Sequence, residues 1–554
     1  VTYPHESWVL DEEADLRVAR LCDRYGVRHF SRRDIPKWNQ PGPPYQAKTK
    51  AGNVNAWLFR YGRQYEFFVQ MDIDHNPRPD YLHRVLGHFQ DRRVAWVQAP
   101  SVYGNMESWT ARGSAEQELV LQGPLQSGFY GFSETPFIIG SHSTYRTAAM
   151  LEIGGMQPTR AEDHLDTVVL AQHGHVGVFV PEQIATGQGP ESFDTYLSQQ
   201  FAWAFSMIQV LFRYAPRYVT RYRPRTALQF LFVQTWYPLW SLSMLFLFLL
   251  PSLLLLLDRT MASIPLGGFL VAYLPIPLLA LAIWWWSSRW FQPAGLRLSW
   301  RGIVLHIARW PVVLWALINV VCRIKRPYMI TPKGTERGAT RHFNVRAQAP
   351  YLLLILPSLA VSWWFMTTHR HGPAQGYLLF SLEGALGMLL VFWVALRQDM
   401  LTLRREGLAR AQVLTMRLRP LIVGLLTLTL ASATTLRALP LIAQAATWDG
   451  SAAVASSPTA SGAASVRDVW NGPPASIIVP AVPQTTNLRR LIADGRFTGA
   501  FDPGGTLLGP GFQTEMIYIN LSDQSIAGLS GRLEGIVHSG RIPVVTLEPW
   551  PLTA

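Results

Sequence analysis

A series of apolar runs restricts this chain more than any other feature. "WYPLWSLSMLFLFLLPSLLLLL" (Trp236 to Leu257) and "IPLGGFLVAYLPIPLLALAIWWW" (Ile264 to Trp286) are followed by further runs at about 349–367, 376–396 and 420–445. Each is close to the roughly 20 residues that a helix needs to cross the hydrocarbon core of a bilayer. Five of them in 554 residues exclude a small soluble domain and predict a membrane protein. The triple Trp at 284–286 reads as an interface anchor. A sixth stretch, "HIARWPVVLWALINVVC" (His306 to Cys322), is short and closely flanked by Arg, so it is expected to lie in the interface without spanning.

Charge sets the expected orientation. Lys and Arg crowd the segments 213–225, 289–346 and 397–419, while 258–263 and 367–375 carry one Arg each. The positive-inside rule then places residues 1–225 in the cytoplasm and everything after about 446 outside. These loops account for the net charge of +13, and nucleic-acid binding is not needed to explain it. Cys22 and Cys322 are the two cysteines, which leaves no disulfide framework and no paired-cysteine metal site. Residues 1–225 read as an α/β domain, 226–446 as a transmembrane region and 447–474, rich in Ala, Ser and Gly, as a linker. Residues 475–554 show strand-like runs between Gly- and Pro-rich turns. Both ends look cut, so the chain is expected to be an internal part of a longer protein.

Within 1–225, carboxylates stand where elements end. "SWVLDEEAD" finishes a strand at Asp11, "FFVQMDID" finishes another at Asp72 and Asp74, and "AEDHLDTVVLAQ" opens a helix with Glu162 and Asp163. Singly, each fits a turn or a helix cap. Together at one sheet edge they fit transfer from a nucleotide sugar. Paired carboxylates would hold a divalent metal against the diphosphate, and a further carboxylate would take the proton of the attacking hydroxyl.

In this order the motifs resemble those of the family 2 processive β-glycosyltransferases, the group of bacterial cellulose synthase and its curdlan, mixed-linkage glucan, chitin and hyaluronan relatives. The resemblance covers roughly residues 1–345. It rests on "VLDEEAD", "KAGNVNAWL", "MDID", "WVQAPSVYGN", "FIIGSHSTYR", "AED" and "RPYMITPKG". It implies a GT-A fold and an inverting transfer from a UDP-sugar to a growing polysaccharide, with Mg²⁺ or Mn²⁺ as cofactor. Asp163 becomes the candidate base and Asp74 the metal ligand. Asp11, Lys50, Asp72, Gln199, Tyr328 and Thr331 would face the nucleotide sugar, the last two from a gating-loop-like segment at 326–345. Glu162, Ser141 and Trp203 would face the acceptor. Localisation is expected to be a bacterial plasma membrane, multi-pass, with accessory subunits left open.

Two departures stand out. The family's Gln-x-x-Arg-Trp reads "QQFAW" here, with Gln199 and Trp203 kept and Ala202 in place of the arginine that helps hold the diphosphate. Ile139 and His142 also differ from the cellulose-synthase pattern, which leans away from plain cellulose. The alternatives are a catalytically weakened or silent glycan-handling scaffold and a non-processive transferase to a lipid acceptor. Finally, "GRFTGAFDPGG", "EMIYINLS" and "GRIPVVTLEPW" are similar to the opening strands of family 26 glycoside hydrolases, which implies the start of a (β/α)8-like domain.

Overall fold

The computed structural model describes residues 3–447 except 160, 262–264, 292–299, 325, 327–342 and 370–372, together with 499–501, 514–520 and 542–548. Residues 1–455 form one compact unit. Its first strands are β1 (Trp8–Leu10) and β2 (Arg28–Phe30), joined by helix α1 (Leu16–Tyr25) and paired parallel. Helix α2 (Lys50–Arg60) follows, then β3 (Phe67–Gln70), β4 (Asn76–Pro77), β5 (Val94–Gln98) and β6 (Val102–Tyr103). Helix α3 (Trp109–Val120), β7 (Ser143–Arg146), helix α4 (Glu162–Gln172), β8 (Val176–Phe179) and β9 (Ala185–Gly187) complete the α/β part.

The central sheet runs β3–β7–β5–β8, with β7 antiparallel to both neighbours and β5 parallel to β8. All five residues of β5 are buried, as befits an inner strand covered on both faces. Trp96 in β5 is fully buried and donates to the Pro136 carbonyl at 2.9 Å. Gly177 in β8 leaves room for its indole, since a Cβ there would meet the ring at 2.1 Å. The sheet's rigidity matters because β3 and β7 carry candidate site residues at their ends. A second small sheet, β4–β9–β6, lies beyond the end of β3 in the chain and returns Gly187 and Gln188 to it.

Helix α5 (Phe193–Arg213) leads into the apolar part. There follow α6 (Pro224–Leu257), α7 (Leu266–Tyr273) with α8 (Pro275–Phe291), α9 (Trp300–Ala308) with α10 (Trp310–Val321), α11 (Val345–Thr368), α12 (Tyr377–Arg405) and α13 (Leu418–Thr447). Six helices among the described residues are long and apolar enough to cross a membrane by length and composition, one more than the five expected. The addition is Trp300–Val321. Read as His306–Cys322 it looks short because Arg301 and Arg309 interrupt the apolar run. The helix starts earlier, at Trp300, and breaks at Arg309.

This helix is bolted to the α/β part. Gly113 in α3 and Gly302 in α9 let the two backbones approach, since a Cβ on Gly302 would lie 3.1 Å from the Gln117 amide nitrogen. Arg301 pairs with buried Glu116 at 3.2 Å, and the Tyr196 hydroxyl of α5 donates to the Leu305 carbonyl at 2.9 Å. The sheet and the apolar helices are thereby one packed body.

The second unit, 456–554, shows three strands, β10 (Gly499–Phe501), β11 (Thr514–Asn520) and β12 (Ile542–Glu548), paired parallel in chain order. The segment expected as a linker, 447–474, lies outside the described residues apart from Thr447.

Candidate active site

Lys50 is the hub. The loop before it is shaped by Arg32, whose side chain is fully buried. Its guanidinium is paired with Glu12 and donates to the carbonyls of Trp38, Tyr45, Gln46 and Thr49. Thr49 caps α2 by accepting from the Gly52 amide at 3.1 Å. Position 52 must be glycine because a Cβ would meet the Gln46 carbonyl at 2.2 Å. Asn53 donates to the Leu10 carbonyl and Asn55 to those of Pro44 and Met156, tying α2 to β1 and to the loops at 44 and 156. The Lys-Ala-Gly-Asn run is thus an anchor that holds the Lys50 ammonium in place.

That ammonium donates to Asp72 Oδ1 at 2.6 Å and to the Gly140 carbonyl, and it lies 3.8 Å from Glu162 Oε1. Burial alone would depress the Lys50 pKa, but the Asp72 and Glu162 carboxylates outweigh it and hold the group protonated. Glu162 and Asp163 sit in the first turn of α4 and are pushed up from the ordinary carboxylate range by burial, with Lys50 opposing. A third carboxylate of the same helix, Asp166, is fully buried, accepts from the Gln157 amide at 2.8 Å, and is also raised by burial.

Gly140 explains the placing of Asp163. Its φ is +76°, a left-handed conformation, and a Cβ there would lie 2.9 Å from Asp163 Oδ2. Its carbonyl accepts from both Lys50 and Gln70. Gln98, at the end of β5, secures the rest of this loop by accepting from the Ile139 amide at 2.9 Å and the Ser143 hydroxyl at 2.6 Å. Ser141 is buried beside it.

At the end of β3, Asp72, Asp74 and His75 offer three ligand atoms that lie within 4.8 Å of one another. The His75 Nδ1 is buried without a hydrogen-bond partner and stands 3.5 Å from Asp74 Oδ1. Two carboxylates and an orphaned imidazole nitrogen form a donor set suited to a divalent metal ion. His142 stacks on His75, with ring centroids 5.5 Å apart, and bonds to the Ala99 carbonyl at 2.9 Å. Burial lowers its pKa to about 4, so it is neutral at neutral pH. Gly187 keeps the other side clear, as a Cβ would meet His75 Nε2 at 2.4 Å.

The structure therefore gathers Lys50, Asp72, Asp74, Glu162, Asp163 and Ser141 at one end of the sheet. Asp11 is not in direct contact with them. Its carboxylate accepts from the amides of Glu13 and Asp15 and is 3.1 Å from His29 Nε2. Burial pushes its pKa up, and these bonds, led by His29, more than reverse that. Gln199 and Trp203 stand on α5, the first buried and the second 37% exposed. The Arg309 guanidinium touches this helix elsewhere, donating to Gln200 Oε1 at 2.6 Å beneath the rings of Trp236 and Trp240. Tyr328 and Thr331 lie outside the described residues. Sequence reasoning missed His75, although it directly follows the Asp-Ile-Asp motif, and missed the roles of Gly140 and Arg32.

Residues 67–443 match the family described as "Glycosyl transferase family group 2". The chain belongs to that family. Curated relatives agree with this assignment. Cellulose synthase 2 of Novacetimonas hansenii is 26% identical over 391 residues, 65% of this chain and 23% of its own length. A UDP-forming cellulose synthase of Dictyostelium discoideum is 28% identical over 167 residues, 29% of this chain and 16% of its own length. The UDP-forming cellulose synthase of Komagataeibacter sucrofermentans is 25% identical over 212 residues, 37% of this chain and 26% of its own length. The chain thus spans about a quarter or less of the length of these relatives. As a family 2 member it is a glycosyltransferase, and the matched range takes in the carboxylates of the sheet-end cluster, though not Lys50, together with the apolar helices.

Proposed function

We propose that the chain is the catalytic part of a processive inverting glycosyltransferase that polymerises a β-glucan from UDP-glucose and passes the product across a bacterial plasma membrane. One observation carries this reading. Lys50 draws Asp72, Glu162 and the region of Asp163 together directly beside the Asp72, Asp74 and His75 ligand set. Diphosphate binding needs cationic neutralisation, and glycosyl transfer needs a buried base next to it.

In the proposed reaction Asp163 removes the proton from the hydroxyl at the non-reducing end of the acceptor. That oxygen attacks the anomeric carbon from the opposite face, the bond to the diphosphate oxygen breaks, and UDP departs with its electron pair. Asp72, Asp74 and His75 would hold Mg²⁺ or Mn²⁺, which would neutralise the diphosphate charge. Lys50 orients Asp72 and keeps Glu162 and Asp163 from being stranded as unpaired charges. Asp11, Gln199, Tyr328 and Thr331 are assigned to the nucleotide sugar, and Ser141, Glu162 and Trp203 to the acceptor. The packed contact between α3 and α9 supports a fixed path from this site into the apolar helices. Although α9–α10 is long enough to span, Arg301 and Arg309 tie it to Glu116 and Gln200, which supports an interfacial place for it, with 1–225 cytoplasmic and everything after about 446 outside. The parallel pairing of β10, β11 and β12 supports the start of a (β/α)8-like domain there.

Membrane vesicles carrying the full chain test the reading. Radiolabelled UDP-glucose with Mg²⁺ or Mn²⁺ is expected to yield solvent-insoluble polymer that a β-glucanase of one linkage specificity degrades. Label recovered in a lipid-extractable product would assign a non-processive transferase instead. A second reading, a weakened or silent glycan-handling scaffold, rests on Ala202 and predicts little product in the first form and neither product in the second.

A further inference from the structure

The membrane-region helices α12 and α13 enclose a groove of about 460 Å³ lined by Leu382, Glu383, Leu386, Gly387, Thr435 and Leu439, among others. All but two of these are apolar. Glu383 is exposed and makes no hydrogen bond or ion pair among the described residues. It stands six residues into α12, which begins at Tyr377, roughly 9 Å along the axis at about 1.5 Å per residue. An ionisable side chain at such a position is costly unless a partner meets it.

Thr435 gives a second, independent sign. Its Oγ1 is buried without a hydrogen-bond partner. Neighbouring threonines of α13 close the usual bond to the carbonyl four residues back, as Thr427 does to Val423, Thr429 to Leu425 and Thr434 to Leu430. The cation on the same stretch of α13 turns away, since Arg437 lies 4.7 Å over the ring of Trp363 in α11. Gly387 leaves open space, with nothing within 4 Å of where a Cβ would be.

From this we infer that the groove between α12 and α13 receives a membrane-spanning helix of a partner protein that carries a Lys or Arg opposite Glu383. Charge complementarity selects the occupant. Apolar side chains of the incoming helix fill the space beside Leu382, Leu386 and Leu439, its backbone closes on Gly387, and its cation meets the Glu383 carboxylate. This inference is independent of the glycosyl-transfer reading.

The test uses the full chain, labelled with a donor fluorophore and reconstituted in phosphatidylethanolamine–phosphatidylglycerol vesicles. The probe is an acceptor-labelled single-span Leu/Ala peptide with one Lys at the depth of Glu383, compared with the same peptide carrying Leu there. The Lys peptide is expected to associate about tenfold more tightly. Glu383→Gln should abolish that preference, and Leu386→Trp should block both peptides. Equal binding of the two peptides, or a preference that survives Glu383→Gln, overturns the inference. So does energy transfer between two labelled copies that Leu386→Trp removes, which would make a second copy the occupant. A lipid retained in native mass spectra and lost in Leu386→Trp, with no peptide bound, likewise overturns it. Glu383→Gln changes no shape, so the test holds even where Leu386→Trp fails to fold.

Discussion

At the end of β3 each charged group is held by others, whereas Ala202 and Trp203 of α5 have almost nothing to hold them. Lys50 touches Asp72, Gly140 and, more loosely, Glu162; Gly140 in turn is shaped around Asp163. Trp203 is part-exposed, with no ring or hydrogen-bond partner among the described residues, and Ala202 beside it offers no polar group at all. The first arrangement is fixed before any ligand arrives, which is what electrostatic preorganisation requires. The second has little to hold it, which suits the proposed role of Trp203 as a stacking surface for the acceptor sugar. On the proposed reading the sheet-end cluster is built in, and any loss of activity should trace to the stretch of α5 around Ala202 and Trp203.

That contrast can be broken most severely at Gly140. Gly140→Ala forces a Cβ against Asp163 in a left-handed backbone conformation, and displacing a reacting group by an ångström costs about a hundredfold in rate. Expression and thermal stability should change far less than the turnover of labelled UDP-sugar; a rate within threefold of the parent would mean that Asp163 need not sit there. Lys50→Met comes next, with an expected loss of about ten- to a hundredfold, a loss of charge-assisted bonds worth roughly 1.5–3 kcal/mol.

The pH profile sharpens the same point. A base must be ionised, and burial raises the Asp163 pKa above the usual carboxylate range. Activity should therefore fall as pH is lowered, with its acid limb above about 4, the value for a free Asp or Glu. Lys50 opposes that rise, so in Lys50→Met the limb should move to still higher pH. A limb that stays put would separate Lys50 from the pair.

On the α5 face the effects should be smaller, a gain for one variant and a loss for the other. Ala202→Arg is expected to raise kcat/KM for the UDP-sugar by about tenfold, the lower end of a charge-assisted contact. No gain, with normal folding, would show that this member binds its diphosphate without that cation. Trp203→Ala should weaken acceptor use several-fold, as loss of one stacking contact of about 1 kcal/mol implies, and leave UDP binding unchanged.

Much of this was legible in the sequence because the decisive features are local. "MDID" and "AED" sit at the ends of elements, and the apolar runs announce the helices by length alone. The rest depended on contacts between distant segments. Nothing in "CDRYGVRHFSRRD" shows that Arg32 will be buried beneath the Lys50 loop. Gly140 is a plain glycine until the fold brings α4 over it. His75 becomes a ligand candidate only once its Nδ1 is seen to be buried and orphaned beside Asp74. The helix Trp300–Val321 reads short in the sequence because hydropathy penalises Arg301 and Arg309, and the structure gives both side chains partners on the α/β part.

The most direct measurement of the central claim is UDP release by the full protein with Asp163→Asn beside the parent, together with calorimetric binding of UDP in the presence of Mn²⁺. A general base is worth about a hundred- to ten-thousandfold, so the account predicts a loss of that size, with UDP affinity within about threefold of the parent. Turnover retained within a few-fold would contradict the assignment of the base, and lost UDP binding would show that Asp163 serves the donor instead.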